Sequence, residues 1–413
     1  ETTHHADTIL SSYTWNQQDT EGTGLYDQTV THNYQLGVTS SSGTLKDTIA
    51  YLSTGDTTNT QYTSYYNLLK ELNTQSGTRN FTTDDASATY TVASAISDTN
   101  SGTLNITGVT SGENKSTIDF NSNNGFNLNS TSATTLNLTD VNLTGASKVA
   151  SVSTGNTINL TNVEISSNTS GIENNGTLTF SGTNKISNEI TGAGSTTLSS
   201  GTTTLNSNLT QDTLDITSGT LINNADITAT ITNADTITNT SGTITTDGGS
   251  NSGSITGGTL TTSSTFTNTG SISVSALNLT SGGAINISGA GTLNTATFTN
   301  DSNGGTLSLV QGTINSVTLG SATLASTLNL ALDNTASQID SIALASDSTG
   351  TFYVNSLSDA SSLAVGTNYR VLTGDAQNAI LTLSPTLSAL TKQITDETTH
   401  HADTILSSYT WNQ

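Results

Sequence analysis

Along the middle of the chain, apolar residues recur two apart inside short runs bounded by Gly or Asn. GTLNITG (102–108), TTLNLTD (134–140), NTINLTN (156–162), GTLTFSG (176–182), DTLDITSG (212–219), GTITTDG (242–248), GAINISG (283–289) and GTLSLVQG (305–312) share this form. Leu104 and Ile106, Leu136 and Leu138, and Ile158 and Leu160 then face one side of a strand, with Asn or Thr on the other. Each run predicts a half-buried strand. Weaker strands are predicted between them at 265–267, 271–274 and 295–298. Two or three short strands in about 20–25 residues is the rhythm of a parallel β-helix. Coils stacked at roughly 4.8 Å would align the Leu, Ile, Val and Phe residues as internal columns. A β-sandwich would need longer strands and hairpin turns, and Asn-Gly dipeptides such as Asn175-Gly176 and Asn303-Gly304 are few.

The pattern changes toward both ends. In GTLKDTIAYLSTG (43–55), Leu45, Ile49 and Leu52 stand at helical spacing; in YTSYYNLLKEL (62–72), Tyr65, Leu68, Leu69 and Leu72 do the same. These predict two short amphipathic helices, a cap or insert whose apolar faces make its contacts. Beyond 327 the runs lengthen and Asn thins out, predicting strands near 328–332, 339–345, 351–355, 368–373 and 379–383.

One stretch occurs twice. ETTHHADTILSSYTWNQ fills residues 1–17 and again 397–413, and it holds both Trp residues and four of the five His of the chain. Such a match of scarce residue types at a fixed distance is the signature of a repeat array. The chain therefore reads as one full unit plus the start of the next: a joint motif at 1–19, a helical insert at 20–95, coils at 96–326, C-terminal strands at 327–396, and the next joint at 397–413. Tyr13 and Trp15, with their copies Tyr409 and Trp411, are expected to pack the junction; the plainer alternative is that they are ordinary strand-core aromatics.

Composition narrows the function. Net charge is −23 with eight Lys plus Arg, so the basic footprint of a nucleic-acid binder is missing. No window of about 20 apolar residues predicts a membrane-spanning helix. The abundant Asn residues, among them Asn121, Asn123, Asn124, Asn127, Asn129, Asn174, Asn175, Asn223 and Asn224, suit coil corners and stacked ladders. N-glycosylation sequons at Asn105, Asn137, Asn142 and Asn159 are expected from composition alone.

The C-terminal phrases NLALDN, QIDSIALAS, GTFYVNSLS and GTNYRVLTGD, followed by YTWNQ, resemble the ends of autotransporter passenger domains. GTLKDTIAYL and the first coils are similar to the N-terminal parts of polymorphic-membrane-protein-like adhesins. The resemblance implies a right-handed parallel β-helix displayed on a bacterial outer surface. One departure matters: this C-terminal pattern leads back into the start of another unit and not into a membrane barrel. That implies many passenger-like cassettes in tandem.

Chemistry is sparsely provided. Between residues 100 and 369 the basic residues are Lys115, Lys148 and Lys185, which leaves little for a lyase. A glycoside hydrolase needs two carboxylates close in space, and Asp84-Asp85 lies outside the regular coils. Asp119, Asp140, Asp212, Asp215, Asp226 and Asp235 read as solvated turn or face positions. His4-His5 has no carboxylate or Cys cluster beside it in sequence, and no G-x-S-x-G elbow occurs. T-x-T pairs (Thr228–Thr230, Thr243–Thr245, Thr295–Thr297) lack the constant period of an ice-binding face. The expected fold is an all-β, right-handed parallel β-helix of about fifteen coils with a short helical insert. The expected function is non-enzymatic and needs no cofactor: a structural unit of an extracellular bacterial surface fibre or stalk. Its partners would be neighbouring tandem copies, and lateral self-association is compatible with the same sequence. The alternative is a carbohydrate-binding or polysaccharide-degrading secreted β-helix.

Overall fold

The computed structural model describes residues 32–36, 77–364 (apart from 84–85, 88, 93–94, 99–101, 113 and 132), 368–374, 378–388, 392–394 and 405–407. The predicted helices, with Leu45, Ile49, Leu52, Tyr65, Leu68, Leu69 and Leu72, lie outside the described residues. The fold is nearly all β, a parallel solenoid of about 11 turns. That is fewer than the fifteen coils expected of a whole unit, of which the described residues are a part. The described helical segments are two single turns, Ala360–Ser362 and Pro385–Ser388. The chain divides into two compact units, Glu1–Asp215 with Gly219–Leu221, and Ile216–Ser218 with Ile222–Gln413.

In the first unit each coil is built from three short strands. Thr134–Thr139, Val141–Thr144 and Lys148–Val152 make one coil; Thr157–Thr161, Glu164–Ile165 and Ser170–Asn174 make the next. Strands pair parallel and in register from coil to coil, so Leu104, Leu136, Ile158 and Leu178 form one inward column. Ile106, Leu138, Leu160, Phe180 and Leu198 form its neighbour. These side chains are buried, as the alternation of the phrases predicts. The outward positions between them stack as well. Asn159 donates its amide to Asn137 at 2.7 Å, and Asn137 donates to Asn105 at 2.6 Å. Three of the sequon asparagines are thus rungs of one ladder.

The coils turn at a repeated left-handed corner. Asp140, Asn162, Gly182, Gly201 and Gly219 follow one another at equivalent places, with φ of 58°, 56°, 66°, 78° and 99°. Asn and Asp tolerate this conformation and glycine adopts it freely. The Asn162 amide donates to the Asp140 carboxylate at 2.9 Å, which ties two of these corners together. Elsewhere backbone approaches backbone so closely that only glycine fits: a Cβ on Gly171 would collide with the carbonyl oxygen of Glu189 in the following coil.

The second unit alternates long and short strands. Thr236–Thr246 has 11 residues; Ser254–Thr262, Ser271–Leu279, Thr292–Asn300, Ser316–Leu324 and Thr349–Leu357 have 9 each. Several of these bend sharply. In Thr292–Asn300, Leu293 and Thr295 point inward, Ala296 and Thr297 both point outward, and Phe298 and Asn300 point inward again. Gly257 and Gly258, both at positive φ, make the bend of Ser254–Thr262, and Gly320 that of Ser316–Leu324. Ile244, Leu260, Leu277, Phe298 and Ala322 form one apolar column, and Phe266, Ile285, Leu307, Leu330 and Val354 another. The predicted C-terminal strands occur at 328–332, 341–344, 349–357, 368–370, 372–374 and 378–383. All but 368–370 extend the parallel ladder.

Candidate functional site

Three polar arrangements stand out from this apolar frame. The first is internal. Asn233, Asn251 and Asn268 occupy inward positions at one corner of three successive coils, each fully buried or nearly so. Asn233 donates to Asn251 at 2.6 Å and Asn251 to Asn268 at 2.7 Å. The Asn251 amide also reaches the carbonyls of Gly253 and Ser271, and that of Asn268 reaches Gly270 and Thr292. Each amide therefore satisfies its own turn and the strand of the next coil, which removes the penalty of burying a polar group. Asn223 and Asn239 repeat the pairing at 2.8 Å.

The second is a buried pair of carboxylates in the second unit. Asp333 is almost fully buried and accepts the backbone N–H groups of Gln311 and Gly312 at 2.6 and 2.5 Å. Asp340, fully buried, accepts from the backbone N–H groups of Asn315 at 2.6 Å and Asp333 at 2.5 Å. The two side chains clasp the loop 310–315 against the loop 333–340. Burial pushes the Asp340 carboxyl up to about 6, helped by the nearby Asp333 charge and opposed by its backbone donors. Nothing in the residue pattern singles these two aspartates out, because a lone Asp in a loop reads as solvated.

The third is a small antiparallel sheet of three strands in the order 368–370, 405–407, 392–394. Ile405–Ser407 lies between the other two and pairs with both. It belongs to the second copy of the seventeen-residue repeat. Asn368–Arg370 is anchored by Tyr369, whose buried ring places its hydroxyl to donate to the Ala336 carbonyl and to accept the Ala364 N–H, each at 2.7 Å. The expected junction residues Tyr13, Trp15, Tyr409 and Trp411 lie outside the described residues.

The clefts are shallow. One of about 390 Å³ is lined by Asn315, Gln338, Tyr369 and Arg370 among others. Another, of about 190 Å³, lies beside Asn127 and Lys148, and the side-chain Oδ1 of Asn127 is buried without a donor. Lys148 pairs with Glu173 at 2.5 Å and Lys185 with Glu164 at 3.0 Å, both between stacked coils. Among the described residues no three His, Cys, Asp or Glu side chains gather as metal ligands would, and no helix is long and apolar enough to cross a membrane. Neither a family model nor a curated protein nor a solved structure matches the chain.

Proposed function

We propose that the chain is a structural repeat unit of a long extracellular fibre or stalk on a bacterial surface, serving adhesion, cell–cell contact or sheath formation. The observation that carries this reading is the run of in-register parallel ladders within each unit, filled by apolar columns and closed at the corners by amide ladders. Such a stack resists extension, because its backbone hydrogen bonds run from coil to coil and must break before the chain can lengthen along that direction. Each coil's strands pair with those of the coils beside it, so length is added by repetition. The seventeen-residue repeat supports the tandem arrangement.

Electron microscopy of the native material tests it. A continuous fibre with a regular axial repeat, decorated at the cell surface by antibodies to this chain, is the expected result. Isolated particles released into the medium would overturn it and favour the rival reading, a secreted carbohydrate-active β-helix.

A further inference from the structure

Ile405–Ser407 is the central strand of its small sheet, although it is the last of the three in sequence. Asn368, Tyr369 and Arg370 face Ser407, Leu406 and Ile405 on one side. Lys392, Gln393 and Ile394 face Ser407, Leu406 and Ile405 on the other. The two flanking strands run parallel to each other and pair with each other only through this guest. One of them is fixed to the body of its unit by the buried Tyr369. The sheet is thus a slot whose occupant comes from the repeated segment. Residues 1–17 carry the same seventeen residues, with Ile9, Leu10 and Ser11 at the places of Ile405, Leu406 and Ser407.

We propose that the gap between Asn368–Arg370 and Lys392–Ile394 is a strand-acceptor slot that takes Ile9–Ser11 of a second copy of this chain, joining copies head to tail without a covalent bond. Main-chain hydrogen bonds on both edges supply affinity, as in other recognition by strand addition. Specificity follows from identity, since every side chain that suits the slot in one copy of the segment is present in the other. The resident strand competes by virtue of its tether, which gives it an effective concentration on the order of millimolar. Exchange between chains therefore emerges when the resident strand is disabled. The inference rests on reading the repeated residues as a joint, and it does not need the joint to sit in a fibre.

The test uses the full chain and sedimentation velocity. Leu406→Pro removes a backbone donor from the resident strand and forces it out of a central position. This variant is expected to form species at two and three times the monomer mass in the micromolar range, and the unmutated chain to stay monomeric there. Leu10→Pro combined with Leu406→Pro should return the mass to that of a monomer. So should an excess of the free peptide ETTHHADTILSSYTWNQ added to Leu406→Pro, because it fills the slot. Far-ultraviolet circular dichroism checks that the coils persist in both variants. The unmutated chain gives an independent reading: excess peptide should raise amide exchange at 405–407 several-fold. The proposal is overturned if Leu406→Pro stays monomeric and binds no labelled peptide, if the double variant associates as strongly as the single one, or if peptide leaves exchange at 405–407 unchanged. Any of these would leave the covalent tandem fibre standing, which microscopy judges separately.

Discussion

The two units solve the same problem with different strands. In the first, a coil is three short strands with a corner after each, and the residues per coil fall along the chain, from 32 between Asn105 and Asn137 to 22 between Asn137 and Asn159 and 20 between Thr161 and Ser181. In the second, long bent strands alternate with short ones, and the count rises from 16 between Asn223 and Asn239 to 21 between Asn278 and Thr299 and 26 between Ala322 and Ser348. Charge follows the same division. In the first unit Lys115, Asp119, Lys148, Glu164, Glu173 and Lys185 lie on strands; in the second, the long strands carry no charged residue. What stays constant is the inward column and the ladder. Perimeter, corner count and surface charge are free to vary, because none of them sets the register between neighbouring coils.

The apolar columns should bear most of the stability in both units, so the largest losses come from cutting them. Phe180→Ala in the first unit and Phe266→Ala in the second should each cost about 3–5 kcal/mol, read from urea unfolding. A much smaller loss at one site would mean that its coil collapses onto the gap. The second unit alone should respond to Asp340. Its carboxyl has an ordinary value of 3.8 and is raised to about 6 in the fold. The folded state therefore holds a proton that the unfolded chain releases, and that stabilisation is complete below about pH 4 and lost as pH rises through 6. Relative to Asp340→Asn, the native chain should lose on the order of 2–3 kcal/mol between pH 4 and 7.5. A flat difference would show that the carboxylate stays ionised throughout.

The internal and external ladders offer a finer contrast. Asn251→Ala strips donors from Asn268 and from the carbonyls of Gly253 and Ser271, all in a dry corner, and should cost about 2 kcal/mol. Asn137→Ala, on a half-exposed rung of the outer ladder, should cost below about 1 kcal/mol. Equal losses would mean that water does not compete for the outer rungs. The smallest effect is expected for Glu164→Gln, which uncouples Lys185 in an exposed pair and should move stability by no more than about 0.5 kcal/mol.

Much of this architecture was legible in the residue pattern. Alternation in GTLNITG or TTLNLTD names the inward residues directly, and Asn or Gly at the phrase ends marks the corners. The long strands were harder. A bend such as Ala296–Thr297 moves the next inward residue from two places on to three, so Thr295 and Phe298 break the period-two rule. Nothing in the sequence marks Asn251, Thr203 and Thr246 as buried, because one sequence does not say that a polar side chain has found partners in the coils beside it. The outward column Thr245, Thr261, Asn278, Thr299 and Thr323 is continuous in space while its spacing in sequence changes at every step. Of the site residues, the carboxylate clasp gave no signal, whereas the repeated segment announced itself.

The parallel register has one further consequence, and it concerns time. Each strand finds its partner a few dozen residues back in a chain of 413, so the pairings are local for a β fold, and local pairings favour rapid folding. A coil needs only the finished coil behind it as a template. Emerging from a ribosome or threading out of a pore, such a chain could zip up in the order in which it appears, with little of it left waiting for distant residues to arrive.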